Sequence, residues 1–198
     1  MEFTEIASLT AMRDLITSTR RGLSSSYLNG GTDKVRLIKA KDITSDGSLA
    51  LKDIDTECVK RTPAFEKAQI RCGDVLVTVT GARFRAAVVL DEADDLLISN
   101  SLIALFFDQA KILPELVAWY LNSQRGQMDL QKWSSGAVIM SLNTASLLEV
   151  MIPVPTMEQQ RQFVDLLRIV NEYQTILGQE AMLLNKVTES VMEDIIKS

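Results

Sequence analysis

Apolar residues recur along the chain with more than one period, and the places where the period changes divide it into elements. From Glu5 to Ile16, the residues Ile6, Leu9, Met12, Leu15 and Ile16 fall three and four apart, which predicts a short amphipathic helix. Thr17 to Thr32 has no such period, is rich in Ser, Gly and Asn, and reads as an exposed loop. Val35 to Ile38 predicts a short strand with Asp42-Ile43 at its exit. Asp46-Gly47 has the chemistry of a hairpin turn. Pro63, among alternating charges, marks another connection.

The middle of the chain has the pattern of sheets. Asp74 to Thr80 is rich in β-branched residues, begins at Cys72-Gly73, ends at Gly81, and is the strongest strand signal. Ala86 to Leu90, Leu96 to Ser99 and Leu102 to Phe107 come next, the first two separated by the acidic turn Asp91 to Asp95. Short strands so closely spaced predict a mostly antiparallel, strongly curved sheet. Pro114 stands where a helix begins, Glu115 to Gln124 is amphipathic, and Ser134-Ser135-Gly136 breaks the pattern beyond it.

Ile152-Pro153-Val154-Pro155 predicts an extended linker, because each proline keeps its predecessor out of the α region. Past it the pattern changes. Thr156 and Gln159 have capping-box spacing, and Glu158 to Lys197 contains no proline and one glycine, Gly178. Forty helical residues make a rod of roughly 60 Å. Counting in sevens gives Phe163, Val170, Leu177, Leu184 and Val191, with Leu166, Tyr173, Glu180, Val187 and Asp194 as companions. Ile169, Ile176 and Leu183 widen this stripe beyond what a lone exposed helix carries, so it is expected to pack against another chain. The fold class is therefore α+β: a globular domain over residues 1–152, a proline-rich linker over 153–156, and a long coiled-coil-forming helix over 157–198.

Composition narrows the chemistry. The 198 residues include no histidine and two cysteines, which removes the commonest general base, the Ser-His and Cys-His nucleophile pairs, and a disulfide framework. No apolar run reaches the length of a membrane span, and Glu2, Glu5 and Asp14 interrupt the N-terminal apolar stretch; a cytoplasmic protein is expected. No strand leads into a glycine-rich phosphate loop. Asp94-Asp95 reads as a solvated turn, and Cys72 as a small buried hydrophobe. Nothing here assembles a catalytic site or a cofactor site.

Charge points to binding instead. The net charge of −5 divides into +3 over residues 1–90 and −8 over residues 91–198. Arg13, Arg20, Arg21, Lys34, Arg36, Lys39 and Lys41 face only Asp14 and Asp33 in that stretch, a sector able to hold a phosphate backbone. Arg20-Arg21, Ser24, Ser25 and Tyr27 combine cations, hydroxyls and an aromatic ring in one segment. Thr80, Arg83 and Arg85 occupy the end of one strand and the connection to the next, and Lys132, Ser134 and Ser135 form a third polar loop. These are the candidate nucleic-acid contacts.

The segment from Arg71 to Leu90, with Gly73-Asp74-Val75-Leu76-Val77 and Gly81 in it, resembles the strand pair of target-recognition domains in the DNA-specificity subunits of type I restriction–modification systems. The resemblance continues through Leu97 to Leu105, through Leu113 to Ser123, and through Gly136 and Leu142-Asn143. It ends in Ile152-Pro153-Val154-Pro155 with Glu158-Gln159 after it, and so covers residues 71–160, with the long helix beyond. The first 70 residues match weakly, and a typical member is about twice this length, with two recognition domains and two helices, so the chain looks like a half-length form.

The resemblance implies a non-catalytic subunit that reads double-stranded DNA and directs methyltransferase subunits, with a restriction subunit as a further partner. It implies no cofactor of its own; S-adenosylmethionine, ATP and Mg are expected only on partners. A half-length form is expected to pair antiparallel with a second copy through Phe163, Leu166, Val170, Tyr173, Leu177, Leu184, Val187 and Val191, and to read a bipartite, inverted target. The alternative is an assembly fragment that pairs with a full-length subunit and reads no bases.

Overall fold

The computed structural model describes residues 8–52, 54–90, 96–136 and 139–197. It divides into two units, residues 1–160 and residues 161–198. The acidic turn Asp91 to Asp95 and the first residues of the expected N-terminal helix lie outside the described residues.

From Ser8 onward that helix is absent. The chain forms β1 (Ser8–Ala11), a 3-10 turn at Met12–Asp14, and β2 (Ile16–Arg21). Spacings of three and four are met by strand, turn and strand, with Met12 and Leu15 buried at the turn. The groups that decide the outcome are distant: Thr10 lies opposite Ile152, and Thr19 opposite Leu105. The expected loop over 17–32 is likewise mostly ordered, through β2, a 3-10 turn at Ser25–Tyr27, and β3 (Leu28–Ile38).

The next elements are β4 (Thr56–Val59), α1 (Pro63–Ala68), β5 (Val75–Thr78), β6 (Thr80–Gly81), β7 (Ala86–Val88), β8 (Leu96–Ile98) and β9 (Leu102–Phe107). The fold is α+β and its sheets are mostly antiparallel, as expected, but the strands expected in one sheet divide between two. One is antiparallel throughout, in the order β2-β9-β5-β7; the other, β4-β3-β8, pairs β3 with β8 in parallel. Gly22 is the corner between them. Its neighbour Arg21 still pairs with Ile103, while Leu23 already bonds to Ile98. A Cβ on Gly22 would stand 1.9 Å from the Ser99 carbonyl oxygen, so only glycine turns here.

The three-stranded sheet is buried on both faces. Ile38, Leu96 and Ile98 pack with Leu76, Ala87, Leu102 and Ala104 of the larger sheet. Val35, Leu37 and Leu97 alternate to the other side and pack with Val59 and with Phe65 and Ala68 of α1. Cys72, expected inside, is exposed.

After β9 come α2 (Pro114–Asn122), α3 (Gln124–Lys132), β10 (Met140–Ser141), α4 (Thr144–Leu148), β11 (Met151–Val154) and α5 (Met157–Lys197). Pro114 occupies the first turn of α2 as its fixed φ allows. Ser123 ends α2 and caps α3, a helix the pattern did not announce. The prolines of 153–156 were expected as linker, yet Pro153 and Val154 belong to β11, where Pro153 lies opposite Leu9 and Val154 opposite Ser8. Proline is tolerated there because the ribbon β1–β11 has only two strands, so every strand is an edge.

The capping box forms as its spacing requires. The Gln159 amide N–H donates to Thr156 Oγ1 at 3.3 Å, and Gln159 Oε1 accepts from the Thr156 amide at 3.0 Å. Gln160, fully buried, donates to the Lys111 and Pro155 carbonyls and accepts from the Leu113 amide at 2.8 Å. It fastens the first turn of α5 to the globular unit.

Candidate nucleic-acid interface

The basic sector is less positive than its sequence. Lys39 bonds to Asp55 at 2.9 Å and Glu57 at 3.1 Å, and Lys41 reaches Asp55 at 3.0 Å. The hydrogen bonds to Asp55 and Glu57 raise the Lys39 pKa above its ordinary value, and Lys39 and Lys41 hold the Asp55 carboxyl below its own. Two cations thus face two carboxylates. Arg13 pairs with Glu149. Lys34 and Arg36 lie two apart on β3, with the buried Val35 and Leu37 alternating to the opposite face.

Arg20 and Arg21 are divided between the two faces of the large sheet. Arg20 stands in the row Arg20–Ala104–Leu76–Ala87, and Arg21 in the row Arg21–Ile103–Val77–Ala86. Neighbours along a strand point to opposite faces. Arg20 lies over the Phe106 ring, 4.5 Å from its centroid, and donates to the Gln69 carbonyl at 2.8 Å. Arg85 donates to the Ile43 carbonyl at 2.8 Å, on the face where Ile43 packs with Leu76. Both are half-buried and committed to the fold. Arg21 and Arg83 are exposed, and Arg83 touches the end of α2 through the Asn122 carbonyl at 2.8 Å. Arg21 and Ala86 share a row, so Arg21 and the connection holding Arg83 lie at the same end of the sheet, roughly 14 Å apart across three strand spacings.

Beside Arg83 the chain builds a small ribbon. Ser141 of β10 lies opposite Thr80 of β6 on one side and opposite Ser135 on the other. Directly opposed residues share a face, so the hydroxyls of Ser135 and Ser141 and that of the distant Thr80 stand in one exposed row. Main-chain bonds hold the ribbon: Ser135 and Ser141 exchange N–H···O bonds of 2.9 and 2.7 Å, and the Leu142 amide donates to the Val79 carbonyl at 2.9 Å. Ser141 was not among the sequence candidates. Nothing local marks it, since its partner Thr80 is distant in the chain.

The other candidates are placed separately. Ser134 donates to the Gln131 carbonyl at 3.0 Å, and Ser24 accepts from Ser26 at 3.2 Å. Ser25 and Tyr27 are exposed on the 3-10 turn before β3. Lys132 bonds to Asp129 at 2.6 Å, together with Arg125 at 3.1 Å and the Tyr120 hydroxyl at 2.6 Å. Burial and the bond to Asp129 push Tyr120 up to about 12, so its proton stays in place. This network borders an open cleft of about 450 Å³ with Leu9, Met151 and Pro153 on its other side. Among the described residues no three His, Cys, Asp or Glu side chains come together as a metal site.

Along α5 the apolar stripe is open. Leu166, Val170, Tyr173, Leu177, Leu184, Val187 and Val191 are exposed, as are Ile169, Ile176 and Leu183, while Phe163 is half-buried. No helix among the described residues is long and apolar enough to cross a membrane.

The chain is similar in sequence and in fold to specificity subunits of type I restriction systems. It is 23% identical over 184 residues to the EcoBI type I restriction enzyme specificity subunit of Escherichia coli, covering 89% of this chain and 38% of that protein. The HsdS subunit of Thermoanaerobacter tengcongensis superposes with a TM-score of 0.67 at 18% identity, over 97% of this chain and 49% of that one. A subunit from a type I R-M complex, solved for its assembly and conformational transition, gives 0.66 at 18% identity, over 99% and 50%. The chain thus spans half or less of the length of these relatives. No family profile matches it.

Proposed function

We propose that this chain is the DNA-specificity component of a type I restriction–modification complex in half-length form, itself without catalytic activity. The observation that carries the reading is that similarity to such subunits extends over nearly the whole chain, from the sheets to the capped helix. The exposed Arg21, Lys34 and Arg83 and the hydroxyl row of Thr80, Ser135 and Ser141 are the groups offered to double-stranded DNA. Methyl transfer, nucleotide hydrolysis and their cofactors S-adenosylmethionine, ATP and Mg belong, in this reading, to methyltransferase and restriction subunits in the cytoplasm.

The described residues hold one recognition unit and one long helix, and in this reading the second recognition unit comes from a second copy. The open stripe of α5 supports that pairing. A two-fold pair reads two identical half-sites in inverted orientation. Co-expression with the methyltransferase subunit, and then mapping of methylated bases across a genome, tests the reading. The expected result is a methylated inverted repeat with a fixed unread gap, lost when this chain is omitted. Methylation unchanged by its omission overturns it. A second reading, an assembly fragment that reads no bases, is favoured by the internal pairing of Arg13, Lys39 and Lys41, and would leave methylation dependent on a full-length subunit.

A further inference from the structure

Glu180 interrupts the apolar stripe of α5 near its middle. It occupies the same heptad column as Leu166, Tyr173, Val187 and, at the end of the helix, Asp194, and it is exposed like the first three. One turn away on either side stand only Ile176, Leu177, Leu183 and Leu184. The cations of the helix do not share its face: Arg161, Arg168 and Lys186 fall in the columns turned away from the stripe, and Lys197 is at the far end.

We propose that Glu180 is a selectivity residue of the α5 seam, one that holds self-pairing below what the apolar stripe would otherwise give and favours a helix presenting a cation opposite it. The inference rests on the pairing with a second copy proposed above. The stripe is centred on the helix, so a reversed copy fits it: Leu166 meets Val191, Val170 meets Val187, Tyr173 meets Leu184, and Leu177 meets Glu180. The two-fold axis then passes between Gly178 and Gln179, and the two Glu180 side chains flank it in adjacent layers, about 4.5 Å apart along the axis. A parallel pair opposes them directly. In both arrangements like charges approach within a seam that has no arginine or lysine, and a carboxylate among leucines is left without a partner. A partner helix with Arg or Lys at the facing position removes both penalties, as polar seam residues do when they select register and partner.

The test is the dimer dissociation constant of the full chain, by sedimentation equilibrium. E180L is expected to tighten self-association at least tenfold, and E180Q less. A mixture of wild type with E180K is expected to form the mixed dimer in preference to either pure one. In a C58S/C72S background, V170C/V187C is expected to cross-link between copies while each single variant does not. Self-association of E180L equal to wild type, whether both dimerise or both stay monomeric, overturns the inference, as does statistical mixing with E180K. Failure of the underlying DNA reading is seen separately, as methylation that does not depend on the wild-type chain.

Discussion

Asp74 is fully buried, and it has fewer partners than a buried carboxylate needs. Its Oδ2 accepts from the Arg71 amide at 2.8 Å, while its Oδ1 has no partner. Burial pushes its pKa up to about 7, against the Arg71 N–H bond and the charges of Arg20 and Arg71, which pull it down. The unfolded chain ionises this group near 3.8, so between about 4 and 7 the native state holds a proton that the unfolded state has lost. Stability contributed by this group is therefore greatest at acid pH and falls as pH rises through that window. D74N keeps an acceptor for the Arg71 amide and removes the charge. Its melting temperature is expected to exceed wild type at pH 8 and to vary less between pH 4 and 7; an unchanged pH slope would exonerate Asp74. At the same scale Gly22→Ala forces a Cβ onto the Ser99 carbonyl and is expected to cost about 3 kcal/mol or more, read by urea denaturation.

Elements differ in how far the sequence announced them. β5 is legible because a β-branched run between Gly73 and Gly81 has few alternatives, β7 and β9 because each is a short apolar run bounded by polar residues, and the cap at Thr156 because two side chains three apart suffice to make it. β1 and β2 were not, because their apolar spacing suits a helix equally well and partners more than 80 residues away decide it. The same physics governs the candidate site. Arg20 and Arg21 looked like one basic patch, but strand alternation sends one to the core and one to solvent. Thr80 and Ser135 were identified apart, and only Ser141 between them makes a surface. Because main-chain bonds hold that ribbon, T80A/S135A/S141A should fold with wild-type stability. In the methyltransferase complex it is expected to lose discrimination between target and non-target DNA, about 1 to 3 kcal/mol per lost base contact, with an unchanged salt slope. R21A/R83A should instead weaken binding to all sequences and lower the salt slope by up to about 2, measured as log affinity against log salt.

At the scale of the whole molecule, the chain combines a net charge of −5 with a basic sector in which Arg13, Lys39 and Lys41 are already paired, and this combination separates affinity from reading. The negative remainder, concentrated in residues 91–198, repels a phosphate backbone, so the chain alone is expected to bind DNA weakly at physiological salt. On the proposed two-fold reading, both units must be held together before either can bind firmly, and the stripe of α5 is the surface available for that. L177D places a carboxylate in the seam beside Glu180 and buries it without a cation. It is expected to abolish the dimer, seen as a fall in solution mass from about twice the 22.0 kDa chain to the chain itself. Methylation of the inverted repeat should fall with it, although every DNA-facing residue is intact, because the two half-sites no longer bind as one event and the gain in effective concentration is lost. If L177D is monomeric yet methylation persists at the same sites, single recognition units suffice, and the two-fold assembly plays no part in reading.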